Sequence, residues 1–335
     1  MAAPRIGLIS TQGPVEPASP FERAAWAEAH GYHSMWLGDG GGHMDALTEA
    51  AGIVMQTSRI KACTGVVPVY TRPPAVLATS AMTISRIGAD RLILGLGASS
   101  DVMVESWYGT PYEKPLTRVR ETVALLRQIF AGEKTDFAGE TVRSKGFRLG
   151  TPVRGTIPIY LAALRPRMLE LAGEVADGVI VNFVPDGAMP RLLEHIDKGA
   201  KRAGRRVEDV DVVQYVRVWV TSDIVRAEQE LRQILAGYFF TKAYNQYLRW
   251  LGHEHEAQAM ADAFARRDKA GTMAAMPEEL VHRIGIFGSA EQCRERVRHT
   301  LAQGTNLPVI DCASSVREEY LATLGAFAAD AMGTA

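Results

Sequence analysis

The sequence predicts an α/β fold: a closed (β/α)8 TIM barrel forming one domain over 1–335, with a helical insertion at about 221–304 between the seventh and eighth strands. Three observations carry this expectation. Short apolar, β-prone runs alternate with amphipathic helical runs from the first residues onward, which is the pattern of parallel βαβ units and not of hairpins. Eight such units fit into 335 residues, a length that barrels with an insertion reach. Several strand ends turn into similar Gly- and Ala-rich loops, and a barrel gathers all such loops at one mouth.

Taken in order, residues 5–10 form the first strand. Ser19-Pro20-Phe21-Glu22 supplies an N-cap, a proline at N1 and a capping-box acid for a helix that runs to His30 and stops at Gly31. Ser34 to Gly38 is the second strand; Asp39-Gly-Gly-Gly-His43 is its loop, and Asp45 caps a helix from Ala46 to Thr57. The third strand begins at Ile60 and breaks at Gly65. Pro68 fixes φ and removes a donor, and Thr71-Arg72-Pro73-Pro74 leads into a helix from Ala75 to Ile87 closed by Gly88. Arg91 to Gly97 is the fourth strand, followed by a long loop through Trp107 and a helix from Leu116 to Ala131. Residues 135–150, with Gly139 between β-prone runs, form a surface hairpin.

Strand five is Ile157 to Ala163, with its helix running from Pro166 to Ala176. Strand six is Val179 to Val184, with a helix from Met189 to Ala203, and strand seven is Val210 to Val220. The segment Thr221 to Gly304 is mostly helical. Its aromatic run Tyr238-Phe-Phe240, Tyr244, Tyr247 and Trp250 has the spacing of a core stripe or subunit contact. Ser289 and Gln292 form a capping box. Leu307 to Ala313 is strand eight, preferred over Arg283 to Phe287, and Arg317 to Asp330 is the last helix.

Composition excludes several function classes. With 37 basic and 38 acidic side chains there is no charge excess to suit nucleic acid. No apolar run spans a bilayer and no secretory leader pattern is present. Cys63, Cys293 and Cys312 are too few and too far apart for a disulfide framework or a structural zinc site, so the expected location is the cytoplasm. Motifs for nucleotide hydrolysis, serine esterases and zincins are missing. Gly95-x-Gly97-x-x-Ser100 lacks the third glycine and the immediate helix of a dinucleotide fingerprint, and His253-Glu-His-Glu256 reads as a solvated helix face, so no metal site is expected. What remains are strand ends suited to phosphate. Gly97-Ala98-Ser99-Ser100 and Ala162-Ala163-Leu164-Arg165-Pro166 offer backbone N–H groups, hydroxyls and a helix N-terminus beside a cation.

Four segments resemble one family: Thr64-Gly-Val-Val-Pro-Val-Tyr-Thr-Arg-Pro-Pro-Ala-Val-Leu-Ala78; Leu94-Gly-Leu-Gly-Ala-Ser99 with Glu105-Ser-Trp-Tyr-Gly109; Ile157-Pro-Ile-Tyr-Leu-Ala-Ala163; and Leu171-Ala-Gly-Glu-Val-Ala-Asp-Gly178. Together they resemble the bacterial luciferase-like oxidoreductases, in the branch that uses coenzyme F420, an 8-hydroxy-5-deazaflavin. The resemblance implies a deazaflavin ring in the barrel mouth, beside Thr64, a non-proline cis peptide at Gly65-Val66, and Asp39 and Arg72. It puts the phosphate near Gly97, Ala98 and Ser99 and the segment Ala162 to Pro166. Relatives often carry histidine after the strand-two aspartate where this chain has Gly40, and some carry glutamate after the serine where it has Ser100-Asp101. Asp39, His43 and Glu105 are therefore the catalytic candidates for proton transfer.

The implied activity is hydride transfer between the deazaflavin C5 and a small organic substrate. The alternatives are an FMN-dependent monooxygenase on the same scaffold and a flavin-binding protein without turnover. The expected partners are a small-molecule substrate and a second copy of the chain in a homodimer, with no nucleic acid and no membrane.

Overall fold

In the computed structural model, which describes residues 4–10, 19–40 and 44–332, eight parallel strands close on themselves. They are β1 (Gly7–Ile9), β2 (Ser34–Leu37), β3 (Lys61–Thr64), β4 (Leu92–Gly97), β5 (Ile159–Ala162), β6 (Gly178–Asn182), β7 (Asp211–Val220) and β8 (Leu307–Asp311). Each pairs with its successor, and β8 returns to β1. The fold is the α/β TIM barrel that the alternating pattern predicts.

Local chemistry explains the helices between the strands. Proline stands in the first turn of α1 (Pro20–Ala29), α3 (Pro74–Ile87), α4 (Pro115–Phe130), α5 (Pro166–Val175) and α6 (Met189–Arg202), where a missing N–H costs no hydrogen bond. Asp45 caps α2 (Ala46–Gln56) by accepting from the Thr48 N–H at 2.8 Å. Ser19 caps α1 as expected, but its Oγ accepts the Phe21 N–H at 3.2 Å instead of the Glu22 N–H, and the capping box does not form. At α12 (Ala290–Ala302) both halves form, Ser289 with the Gln292 N–H and Gln292 with the Ser289 N–H. The hairpin pairs Asp136–Ala138 with Arg143–Lys145.

Two expectations change. Gly285–Gly288, the rejected candidate for strand eight, is a strand after all, but it pairs with residues 217–220 of the long β7, outside the ring that β8 completes. The last helix is also broken: α13 (Arg317–Ala326) stops and a separate turn, Ala329–Met332, follows. The break lets the Ala329 N–H reach the His30 carbonyl at 2.9 Å.

The barrel is packed through. Trp36, Cys63, Ile93, Tyr160, Ile180, Val213, Tyr215, Leu307 and Val309 fill its lumen. Along each strand these alternate with residues that pack outward under the helices, the period of two expected of a strand. The irregular segment is α7 (Ile224–Phe239), α8 (Lys242–Trp250), α9 (Glu254–Ala265), α10 (Lys269–Ala274) and α11 (Glu278–Ile284), with a core of its own that includes Phe239, Tyr247, Met260 and Leu280. Of the aromatic run, Phe239 and Tyr247 are core, Tyr244 and Trp250 pack half-buried against it, and Tyr238 is exposed. The helix after it, α12, packs against β7 and β8 and belongs to the outer ring of the barrel. The three cysteines are buried and unpaired, and burial pushes the Cys63 thiol well up. Among the described residues no helix is long and apolar enough to cross a membrane.

Candidate active site

Alternation decides which side chains face the mouth. Trp36, Cys63, Ile93, Tyr160, Ile180, Tyr215 and Val309 point into the lumen. The residue two further along each strand therefore points the same way, one level nearer the C-terminal ends. On β2 to β5 those positions are Gly38, Gly65, Gly95 and then Gly97, and Ala162. On β6 to β8 they are Asn182, Arg217 and Asp311. The mouth has one arc of very small residues and one arc of polar ones.

The small arc is tightly fitted at Gly65, Gly95 and Gly97 and open at Gly38. A Cβ on Gly95 would lie 1.9 Å from the Thr64 carbonyl oxygen, and one on Gly65 would lie 1.8 Å from the Tyr215 hydroxyl. That hydroxyl donates to the Gly65 carbonyl at 3.3 Å, and the Gly65–Val66 peptide is cis, at the bond the resemblance implied. A Cβ on Gly97 would meet Val66 Cγ2 at 2.6 Å, whereas one on Gly38 would meet nothing within 4 Å. Thr64 points away from this surface: its buried hydroxyl donates to the Gly95 carbonyl at 2.7 Å and accepts the Gly95 N–H at 2.8 Å, tying β3 to β4.

Asp39 follows β2 and is held on three sides. Arg72 donates to both its oxygens, at 2.7 and 3.1 Å, and the Ala46 N–H at the start of α2 donates to Oδ1 at 3.1 Å. Arg72 also pairs with Asp45, so one guanidinium locks the loops after β2 and β3 together. Against the upward push of partial burial, hydrogen bonds from the Thr48 N–H and Arg72 hold the Asp45 carboxyl below its usual range. The sequence offered Asp45 only as a helix cap; its second role depends on a residue 27 positions away.

The loop after β4 opens with Ser99 at φ 63°, a left-handed conformation rare for a side-chain-bearing residue. Tyr112 donates to the Ser99 carbonyl at 3.3 Å, and a π-helical turn over Val102–Trp107 follows, with Asp101 capping it. Beyond β5, Ala163 donates to the Ile180 carbonyl at 3.0 Å, Leu164 packs towards the insertion core, and Arg165 is the exposed residue heading α5, with Pro166 at N1. The two phosphate-suited segments thus stand on adjacent strands. Glu105 is exposed, and its Oε1 accepts the Tyr112 N–H at 3.1 Å, bracing the loop after β4. His43 lies outside the described residues.

Sequence reasoning missed the polar arc. Arg217 and Asp311 face each other across the β7–β8 pairing, with side chains only 5% and 8% exposed. Burial pushes the Asp311 carboxyl up, and the Arg217 charge counters this only in part. The Arg217 guanidinium lies 4.5 Å from the ring centroid of Phe183, and Asn182 donates to the Tyr244 hydroxyl at 3.2 Å. The signal was present: in Asp211-Val-Val-Gln-Tyr-Val-Arg217 a charge falls on the lumen-facing phase of a strand.

Among the described residues no cluster of His, Cys, Asp and Glu could hold a metal, and His253 merely precedes α9. A cleft lies at the opposite end of the barrel, among Arg5, Arg127, Asp177 and Asp211. It is spanned by Arg5–Asp211 and Arg127–Asp177 ion pairs and contains none of the strand C-terminal ends, so it is not the candidate site.

A closed parallel barrel whose loops converge on an open, glycine-lined mouth defines a small-molecule enzyme scaffold. More particularly, the chain belongs to the luciferase-like monooxygenase family, whose profile matches residues 1–306. It is 31% identical over 283 residues to a 5,10-methylenetetrahydromethanopterin reductase of Methanolobus tindarius, covering 84% of this chain and 86% of that one. A protein of Mycobacterium tuberculosis named as a coenzyme F420-dependent oxidoreductase is 29% identical, over 96% of this chain and 99% of its own. Among solved structures, the coenzyme F420-dependent tetrahydromethanopterin reductase of Methanopyrus kandleri superposes with a TM-score of 0.79 over 98% of both chains, at 22% identity. That likeness speaks for the fold alone.

Proposed function

We propose that this protein is a coenzyme F420-dependent oxidoreductase that moves a hydride between the deazaflavin and a small organic substrate. The observation that carries the reading is the run of residues with little or no side chain at the C-terminal ends of β2 to β5, Gly38, Gly65, Gly97 and Ala162, with open space at Gly38 and two donor-rich loops beside it. The names of the relatives found at 29–31% identity support the same choice of coenzyme.

The residues fit such a group. Gly38 presents open space where any side chain would project. The backbone of Ala98, Ser99 and Ser100, with the start of α5 and Arg165, suits the phosphate, because helix N-termini and successive N–H groups favour anions. Gly65 and Val66 would support the ring, with Tyr215 fixing the Gly65 carbonyl from below. When bound, the deazaflavin supplies a hydride at C5, and with carbon in place of the flavin nitrogen it activates oxygen poorly. The chain contributes orientation and water exclusion. Asp39, with both oxygens engaged, serves as a positioning residue: it fixes Arg72 and the two loops that carry the mouth rim.

Anaerobic turnover of a substrate panel with reduced coenzyme F420, set beside oxygen consumption with reduced FMN, tests the proposal. Deazaflavin oxidation without oxygen is expected. Oxygen uptake with FMN would establish the monooxygenase alternative, and coenzyme binding with no turnover would establish a binding protein. The reading also carries a cytoplasmic homodimer, checked by sedimentation of the purified protein.

A further inference from the structure

The polar arc contains a buried cation with one nitrogen that makes an ion pair but no hydrogen bond. Arg217 is 4% exposed, and its Nη1 lies 3.0 Å from Asp311 Oδ2, but out of line for a hydrogen bond. Among the described residues that buried nitrogen has no hydrogen-bond partner at all. A buried guanidinium in a purely structural role saturates its donors, because an unsatisfied charged group costs several times what a neutral one does. An N–H left unpaired on the mouth-facing side of a strand marks a place where an acceptor arrives from outside.

The surroundings hold this guanidinium still. Phe183 lies beneath it at 4.5 Å, with φ 50°, a conformation that is strained for a bulky residue. That backbone is fixed from both sides: Asn182 Oδ1 accepts the Phe183 N–H at 3.0 Å, and the Tyr247 hydroxyl donates to the Phe183 carbonyl at 3.3 Å. Tyr238 and Tyr244 wall the ring at 5.0 and 5.6 Å.

We propose that Arg217, neutralised by Asp311 until a ligand comes and seated on Phe183, is the docking point for a carboxylate of the substrate, which makes that substrate an organic acid anion. A carboxylate matches the planar fork of the guanidinium with two parallel hydrogen bonds. A metal ion is excluded by the cation, and the aromatic wall suits the carbon skeleton behind the carboxylate. The inference rests on the function proposed above only in that the mouth is where the substrate sits.

The test is equilibrium titration of the full chain, without coenzyme, using benzoate as the probe, benzyl alcohol as its uncharged counterpart and inorganic phosphate in parallel. Benzoate is expected to bind better than benzyl alcohol and to lose at least tenfold in affinity in Arg217→Met. Asp311→Asn removes the competing carboxylate and is expected to tighten benzoate several-fold; it keeps the test decisive if Arg217→Met does not fold. Equal benzoate affinity in wild type and Arg217→Met, no gain in Asp311→Asn, no benzoate binding at all, or binding of phosphate in its place would each overturn the site. Benzoate binding at Arg217 without any deazaflavin binding would uphold this site and overturn the function proposed above.

Discussion

The two arcs of the barrel mouth are built on opposite principles. From β2 to β5 the rim is made of residues chosen for lacking side chains, and chemistry there falls to backbone groups: the Gly65 carbonyl, the loop at Ser99, the start of α5. From β6 to β8 the rim is made of side chains with strong opinions about their neighbours, Asn182, Arg217 and Asp311, backed by aromatic rings. The contrast teaches how one fold divides its labour. On the function proposed above, the small arc accommodates a flat ligand by removing atoms, and on the further inference the polar arc selects a particular one by placing charges.

The sharpest way to break the comparison is at Arg72, which ties the small arc together. Arg72→Ala would leave Asp39, with a side chain 5% exposed, without its counter-charge. Uncompensated buried charges of this kind cost about 3–5 kcal/mol, so chemical denaturation should show a loss of that order, and a loss under about 1 kcal/mol would mean the clamp is ornamental. Next comes Gly95→Ala. Its Cβ would meet the Thr64 carbonyl at 1.9 Å, a backbone contact that cannot swing aside, and overpacking of this kind costs about 1–3 kcal/mol in thermal or urea unfolding.

Gly38→Val separates fold from function more cleanly. Its Cβ meets nothing within 4 Å, so stability should barely change while coenzyme affinity falls at least tenfold, which is about 1.4 kcal/mol. An unaltered affinity in the folded variant would show that the open arc is not where the coenzyme lies. Gly65→Val is a poorer probe, because the new side chain would strike Tyr215 and confound folding with binding.

The smallest effect comes from the far end of the barrel. Burial, aided by the charges of Arg5 and Lys61, holds the His33 imidazole down at about 4. Between that value and the ordinary one near 6.5 the unfolded chain binds the extra proton, so this contribution to stability is whole above about pH 6.5 and is lost as pH falls towards about 4. His33→Asn should flatten the slope of unfolding free energy over that window; an unchanged slope would assign it to other groups.

Much of this was legible in the sequence, and unevenly so. The eight strands, the proline-led helices and the insertion follow from local signals: period-two and period-3.6 patterning, prolines at N1, and caps at Asp45 and Ser289. Gly65, Gly97 and Ala162 were legible too, because small residues at strand ends stand out in the sequence, whereas Gly38 was not singled out. The polar arc was not recognised, since Arg217 and Asp311 are ordinary residues until β7 and β8 bring them together across 94 positions of chain. Asp39 was found as a residue, but its pairing with Arg72 and Ala46 was not, because they converge only in space. Glu105 was placed on the loop after β4, where a π-helical turn carries it.

The central claim is that the small arc holds a deazaflavin. Fluorescence titration of the wild-type chain with oxidised coenzyme F420, run beside FMN under the same conditions, tests it most directly. The account predicts saturable binding of F420 at one per chain, with FMN binding at least tenfold more weakly. Tighter binding of FMN, or no saturable binding of F420, would contradict it.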